Sequence, residues 1–225
     1  MLLTIDTCAD LCAASICEQG AELGRCVRDI GTGHAEQLMD VIAESLAAAG
    51  KTYSDLTEIA VAVGPGSFTG IRVGVSTARG LALALKLPSI GVGTLEAIAE
   101  ETRALVPARS VMVAIDARRD EVYTAAFDAD GIEIAEPAVT SLEAASRLLV
   151  TLADPVLAGS AAPMLAQHAG GAHDVASTLS TADIGAYARL AARRGMAGPR
   201  PKPLYLRAPD AKPQAGFVLP HREGA

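Results

Sequence analysis

Short apolar runs alternate with amphipathic stretches along this chain, and their order predicts an α/β protein. Residues 2–7, 13–17 and 22–27 read as three strands joined by short turns, an antiparallel meander. Gly31-Thr32-Gly33 breaks that pattern. Residues 34–49 then place Leu38, Met39, Ile42 and Leu46 on one helical face, with Gly50 positioned to end the helix. Ile59-Ala60-Val61-Ala62-Val63 reads as a buried strand, 67–85 as a helix and 87–92 as a strand opened by Pro88. Residues 95–103 read as a helix that Thr94 can cap, with Glu96, Glu100 and Glu101 nearby.

The order then restarts. An apolar run at 111–115 ends at Asp116, as the first strand ends at Asp6. Residues 122–127 and 132–135 supply further strands around an Asp130-Gly131 turn. Ser141 caps a helix over 142–149, 156–158 is a short strand, and 161–167 and 183–193 read as helices. The repetition is one of topology, with little residue identity beyond the strand–Asp pair. It predicts a first lobe at 1–105, a second at 106–198 beyond the interruption at Pro107, and a tail at 199–225. Six prolines (Pro199, Pro201, Pro203, Pro209, Pro213, Pro220) argue for an extended tail, in which Leu204-Tyr205-Leu206 can still dock.

Duplicated lobes of this order predict a two-lobed actin/Hsp70/hexokinase-like (ribonuclease H-like) fold, each lobe a mixed sheet flanked by helices. In that fold the aspartate ending each first strand faces the interlobe cleft. Asp6 and Asp116 are therefore candidates for a metal–nucleotide site; the alternative is that each merely closes a strand. Asp6-Thr7-Cys8-Ala9-Asp10 and Asp116-Ala117-Arg118-Arg119-Asp120 contain no glycine, and without it backbone cannot wrap closely around phosphate.

Composition narrows the function classes. Aromatic residues are only 3% of the chain and tryptophan is absent, so aliphatic side chains and alanine must do the packing. The net charge of −7 (19 − 26) arises in residues 1–60, and this acidic opening repels nucleic acid at long range. Residues 189–212 are basic: they form either a helix end favoured by cations and a solvated linker, or a surface that touches phosphate. The chain shows no signal peptide and no apolar run long enough to cross a bilayer, so a cytoplasmic location and no membrane contact are expected. Cys8, Cys12, Cys17 and Cys26 have no zinc-ligand spacing and read as reduced thiols; no metal site is expected.

The stretch Val63-Gly64-Pro65-Gly66-Ser67-Phe68-Thr69-Gly70-Ile71-Arg72-Val73-Gly74 is the most specific motif. A Gly-Pro-Gly turn at a helix start favours anions. A P-loop is excluded, because no lysine lies between Lys51 and Lys86. The dinucleotide fingerprint is imperfect, since Gly64, Gly66 and Gly70 place the third glycine one position late. Along the helix Gly70, Gly74 and Ala78 recur every fourth residue. Interior glycines cost about 1 kcal/mol each against alanine, so something must approach closely there, either a neighbour in the same chain or a partner. Arg72 and Arg79 lie on another face.

Together with Leu3-Thr4-Ile5-Asp6-Thr7, His34-Ala35-Glu36-Gln37-Leu38, Asp116-Ala117-Arg118-Arg119-Asp120-Glu121-Val122-Tyr123 and Pro203-Leu204-Tyr205-Leu206-Arg207, this motif resembles the bacterial TsaB (YeaZ) family. The resemblance implies a non-catalytic subunit for threonylcarbamoyladenosine synthesis on tRNA. It implies a heterodimer with the catalytic paralogue (TsaD family), a small ATPase (TsaE family) as third member, and self-association as a homodimer. It further implies tRNA contact only through the complex, no cofactor of its own, and any ATP or ADP at the complex junction. The helices at 34–49 and 67–85 would form a bundle with the partner's, giving His34, Leu38, Ile42, Gly70, Arg72, Gly74 and Ala78 as the expected interface. On that reading Gly74→Leu leaves the fold intact and blocks pairing. Independently, the chain lacks the His-x-x-x-His pair of the catalytic paralogue: its histidines are His34, His168, His173 and His221. Two alternatives remain at this stage, an active ATP-dependent kinase using Asp6 and Asp116, and an oxidoreductase using the glycine loop. The second lacks a Tyr-x-x-x-Lys pair.

Overall fold

The computed structural model describes residues 1–195 and 200–207. The first lobe runs β1 (Leu2–Asp6), β2 (Leu11–Glu18), β3 (Ala21–Asp29), α1 (His34–Ala48), β4 (Glu58–Ala62), α2 (Phe68–Leu85), β5 (Ser89–Val92) and α3 (Thr94–Leu105). The second repeats the order: β6 (Val111–Asp116), β7 (Glu121–Phe127), β8 (Glu133–Ser141), α4 (Leu142–Leu149), β9 (Val156–Ala158), α5 (Ala162–Ala169), β10 (Val175–Ser177) and α6 (Ile184–Arg194). The sheets are ordered β3-β2-β1-β4-β5 and β8-β7-β6-β9-β10, the same topology twice. In each, a meander supplies the antiparallel half and two crossovers the parallel half.

Local chemistry explains most boundaries. Ser67 Oγ accepts the Gly70 N–H and starts α2, and Ser141 Oγ accepts the Ala144 N–H and starts α4. Gly50, at φ 64°, follows the last turn of α1. Thr94, expected as a cap, is instead the first residue of α3, and Gly93 holds the cap position. The strand expected at 132–135 extends through Ser141, and β10 lies where no strand was expected, because three residues carry no readable period.

Helices α1 and α2 pack on one face of the first sheet and against each other. Helix α3 lies between the two sheets, and α4 and α5 cover the outer face of the second. The inner face of the second sheet (Val111, Val113, Ile115, Ala125, Phe127) joins the core of the first lobe. Helix α6 amends the expected division at 106–198: it packs on β1, β2, β4 and β5 and beside α3, so the chain returns to the first lobe after completing the second sheet. Its Tyr187 is fully buried there. The expected tail at 199–225 falls largely outside the described residues. Residues 201–206 form neither helix nor strand, and the Leu204 N–H donates to the Val63 carbonyl at 2.8 Å.

Candidate functional site

Two places could carry function, the cleft between the lobes and the outer surface of α1 and α2. The cleft holds about 460 Å³ and is lined by Cys8, Asp10, Gly66 and Phe68 on one side and by Asp116, Arg118 and Tyr123 on the other. Asp6 does not open into it. Its side chain is buried, Oδ1 accepts the Cys8 N–H at 2.8 Å, and Oδ2 accepts the Thr181 hydroxyl at 2.6 Å. Thr181 also bonds the Tyr187 hydroxyl at 2.7 Å, so the segment leading into α6 plugs the end of β1. Burial pushes the Asp6 carboxyl above its ordinary pKa, while the Thr181 and Cys8 hydrogen bonds hold it down. Asp116 is exposed, with Oδ1 accepting the Arg118 N–H at 2.6 Å. The two candidate aspartates therefore do not converge as a pair of metal ligands. Among the described residues, no three histidine, cysteine, aspartate or glutamate side chains cluster as a metal site. A larger cavity, about 560 Å³, lies between β1, β2 and α6; Arg25 on its wall is pinned between Glu22 at 2.6 Å and Asp183 at 2.7 Å.

The small-residue stripe of α2 needs correction. Gly70, Gly74 and Ala78 are buried, facing their own sheet. A Cβ on Gly70 would collide with the Thr7 carbonyl oxygen, and one on Gly74 would lie 2.5 Å from Thr7 Oγ1. The Thr7 hydroxyl donates to the Gly70 carbonyl at 2.7 Å, and the Ser67 N–H donates to the Cys8 carbonyl at 2.6 Å. These glycines let α2 start directly on the end of β1, an intramolecular close approach. His34, Leu38 and Ile42 are likewise buried, His34 with its Nε2 3.2 Å from the Leu11 carbonyl. Of the seven expected interface residues, Arg72 alone is exposed. Its guanidinium lies 3.7 Å from the Phe68 ring centroid, and its Nε donates to the Tyr205 hydroxyl at 2.8 Å. Gly74→Leu would therefore damage the fold before it touched any partner.

Both helices nonetheless present a second face. On α1, Ala35, Met39, Ala43 and Ala47 are exposed at four-residue intervals, flanked by Glu36, Asp40 and Glu44. On α2, Ser76, Gly80 and Ala84 are exposed at the same interval, beside Arg72, Arg79 and Leu83, the last 81% exposed. Among the described residues a Cβ on Gly80 would meet nothing within 4 Å, so they give no reason for glycine there. The sequence held the clue to which stripe was inward: Ile71, Val75, Ala78 and Ala82 mark the apolar face of α2, and Gly74 and Ala78 lie on it.

The duplicated sheet order, with an aspartate closing the first strand of each lobe, defines the actin/Hsp70/hexokinase class of folds. Within it, a family model described as "TsaD: tRNA N6-adenosine threonylcarbamoyltransferase" matches residues 28–210. The chain is 36% identical over 132 residues to the tRNA threonylcarbamoyladenosine biosynthesis protein TsaB of Escherichia coli. That match covers 57% of this chain and 55% of the E. coli protein, so it spans about half of that relative's length. A Mycobacterium tuberculosis protein described as uncharacterized is 36% identical over 217 residues, 95% of each chain. The solved structure of YeaZ from Pseudomonas aeruginosa superposes with a TM-score of 0.74 at 29% identity, covering 86% of this chain and 91% of that one. The chain belongs to the TsaB (YeaZ) family. No helix among the described residues is long and apolar enough to cross a membrane.

Proposed function

We propose that this chain is a non-catalytic subunit in the synthesis of N6-threonylcarbamoyladenosine on tRNA. In this role it binds the catalytic TsaD-family paralogue and supports its activity on the adenosine beside the anticodon. A small TsaE-family ATPase is the third component, tRNA is met through the complex, and the setting is the cytoplasm. Any ATP or ADP sits at the junction of subunits, because Asp6 is occupied within its own fold.

The observation that carries the reading is Gly80. An exposed glycine in a helix interior costs about 1 kcal/mol against alanine, and nothing among the described residues requires it. A second helix lying across Ser76, Gly80 and Ala84 would use the space, since small residues let helix axes approach closely. The charge pattern supports such a partner: the outer face of α1 carries Glu36, Asp40 and Glu44, the last already paired with Arg28, and that of α2 carries Arg72 and Arg79 with Lys86 at its C-cap. A molecule with the same pair of helices can match acid to base about a two-fold axis, which a paralogue or a second copy of this chain both satisfy. Self-association and docking to the paralogue would then compete for one surface.

The test is reconstitution. tRNA modification by the catalytic paralogue and the ATPase is assayed with this chain present and omitted, and the expected result is loss of product on omission. The kinase alternative predicts that the isolated chain hydrolyses ATP and that Asp116→Ala abolishes this; finding both would replace the present reading.

A further inference from the structure

The described part of the tail crosses from one lobe to the other. Its Pro201 backbone lies against Gly91 at the end of β5, where a Cβ on the glycine would be 3.3 Å from the proline Cα. The Leu204 N–H bonds the Val63 carbonyl just beyond β4. Tyr205 then leans on Phe68, with ring centroids 5.2 Å apart, and accepts the Arg72 hydrogen bond. Two residues later Arg207 pairs with the Glu121 carboxylate at the start of β7 and donates to the Arg118 carbonyl at 3.2 Å. At most about 7 Å of backbone separates the two anchors, so Tyr205 cannot shift far without drawing on Arg207.

The second anchor grips an unusual turn. Arg118, Arg119 and Asp120 have φ of 62°, 57° and 60°, three consecutive left-handed residues with no glycine among them. Side chains disfavour that region, so the turn persists only where its surroundings hold it. Arg207 holds the first carbonyl of the run, and the Asp116 carboxylate holds the Arg118 N–H. Phe68 lines the cleft and also carries the Tyr205 anchor on α2.

We propose that residues 201–207 are a latch that couples the outer face of α2 to the 116–121 turn across the cleft. A partner that takes hold of Arg72 or turns Phe68 loosens Tyr205, which slackens Arg207 and lets the turn relax. The docking half of this statement rests on the function proposed above; the coupling itself rests on contacts within the chain and is testable without any partner.

The experiment is amide hydrogen exchange on the full chain. Arg72→Ala, which does not touch the turn, should speed exchange at residues 117–121 about tenfold, and Tyr205→Phe, which deletes one hydroxyl, about threefold. Amides of β1 and β4 should keep their protection. Should Arg72→Ala disturb those strands too, the milder Tyr205→Phe decides. Arg207→Gln should itself loosen the turn, and in that background neither of the other changes should add to it. Unchanged exchange at 117–121 in both Arg72→Ala and Tyr205→Phe overturns the latch, as does an effect that persists in full with Arg207→Gln. Calorimetry of the unaltered chain with the catalytic paralogue reports on docking separately, so failure of either idea is visible alone.

Discussion

The two lobes share one topology and differ in the helices that follow the meander. In the second lobe α4 and α5 are 8 residues each, while in the first α1 and α2 are 15 and 18. A helix of eight residues spans roughly 12 Å. Helices of 15 and 18 residues span roughly 22 and 27 Å, a match for the eight- and nine-residue strands β2 and β3 that α1 packs on. The outward faces of these longer helices carry the exposed alanine, serine and glycine stripes. The terminal aspartates differ as well: Asp6 is sealed by Thr181 and the Cys8 amide, whereas Asp116 stays at the surface and shapes a turn. The two lobes thus share their sheet order, while the first carries the longer helices and buries the aspartate that ends its first strand.

The contrast between the inward and outward faces of α2 can be broken most severely at Gly74. Gly74→Leu should destabilise the free chain by about 3–5 kcal/mol, because the side chain has Thr7 and Val61 in its way. Urea unfolding checks this, and a near-normal midpoint would mean that α2 lifts off its sheet easily. On the outward face Ala43→Arg should leave the midpoint unchanged and weaken docking at least about 30-fold, since a long side chain holds the helices apart. The difference between the two aspartates is sharpened by Asp6→Asn. The neutral amide keeps partners for Cys8 and Thr181 while removing a buried charge, so stability at pH 7 should rise by on the order of 1 kcal/mol. The sign follows from Asp6 binding its proton more tightly folded than unfolded: the native carboxylate loses stability as pH rises through its raised pKa. The advantage of asparagine should therefore shrink as pH falls through that value, and a pH-independent gain would speak against the mechanism. The smallest effect belongs to Gly80→Ala, which should stabilise the isolated chain by about 0.5–1 kcal/mol and still weaken docking. Stabilisation without weaker docking would leave that glycine without a role at the interface.

Much of the architecture was legible because strand and helix periods are local. The restart of the pattern at Val111 exposed the duplication, and the capping role of Ser141 could be read from a single residue. What failed depends on which distant segment arrives. Asp183 predicted a helix start correctly, yet nothing local says that α6 returns to the first sheet and plugs Asp6. Gly70 and Gly74 correctly signalled a close approach, but the approaching residue is Thr7, its carbonyl against Gly70 and its hydroxyl against Gly74, more than sixty residues earlier in the chain. A longer gap, 133 residues, hid the joining of Arg72 with Tyr205. Six of the seven expected interface residues are therefore buried within their own fold, and Arg72 alone lies on the surface.

The most direct test of the account is titration calorimetry of this chain against the catalytic TsaD-family paralogue from the same source, comparing the unaltered sequence with Ala43→Arg. The account predicts saturable binding for the first and at least about a 30-fold loss of affinity for the second, with identical unfolding midpoints. Equal affinities for the two would place the partner elsewhere on the molecule and contradict it.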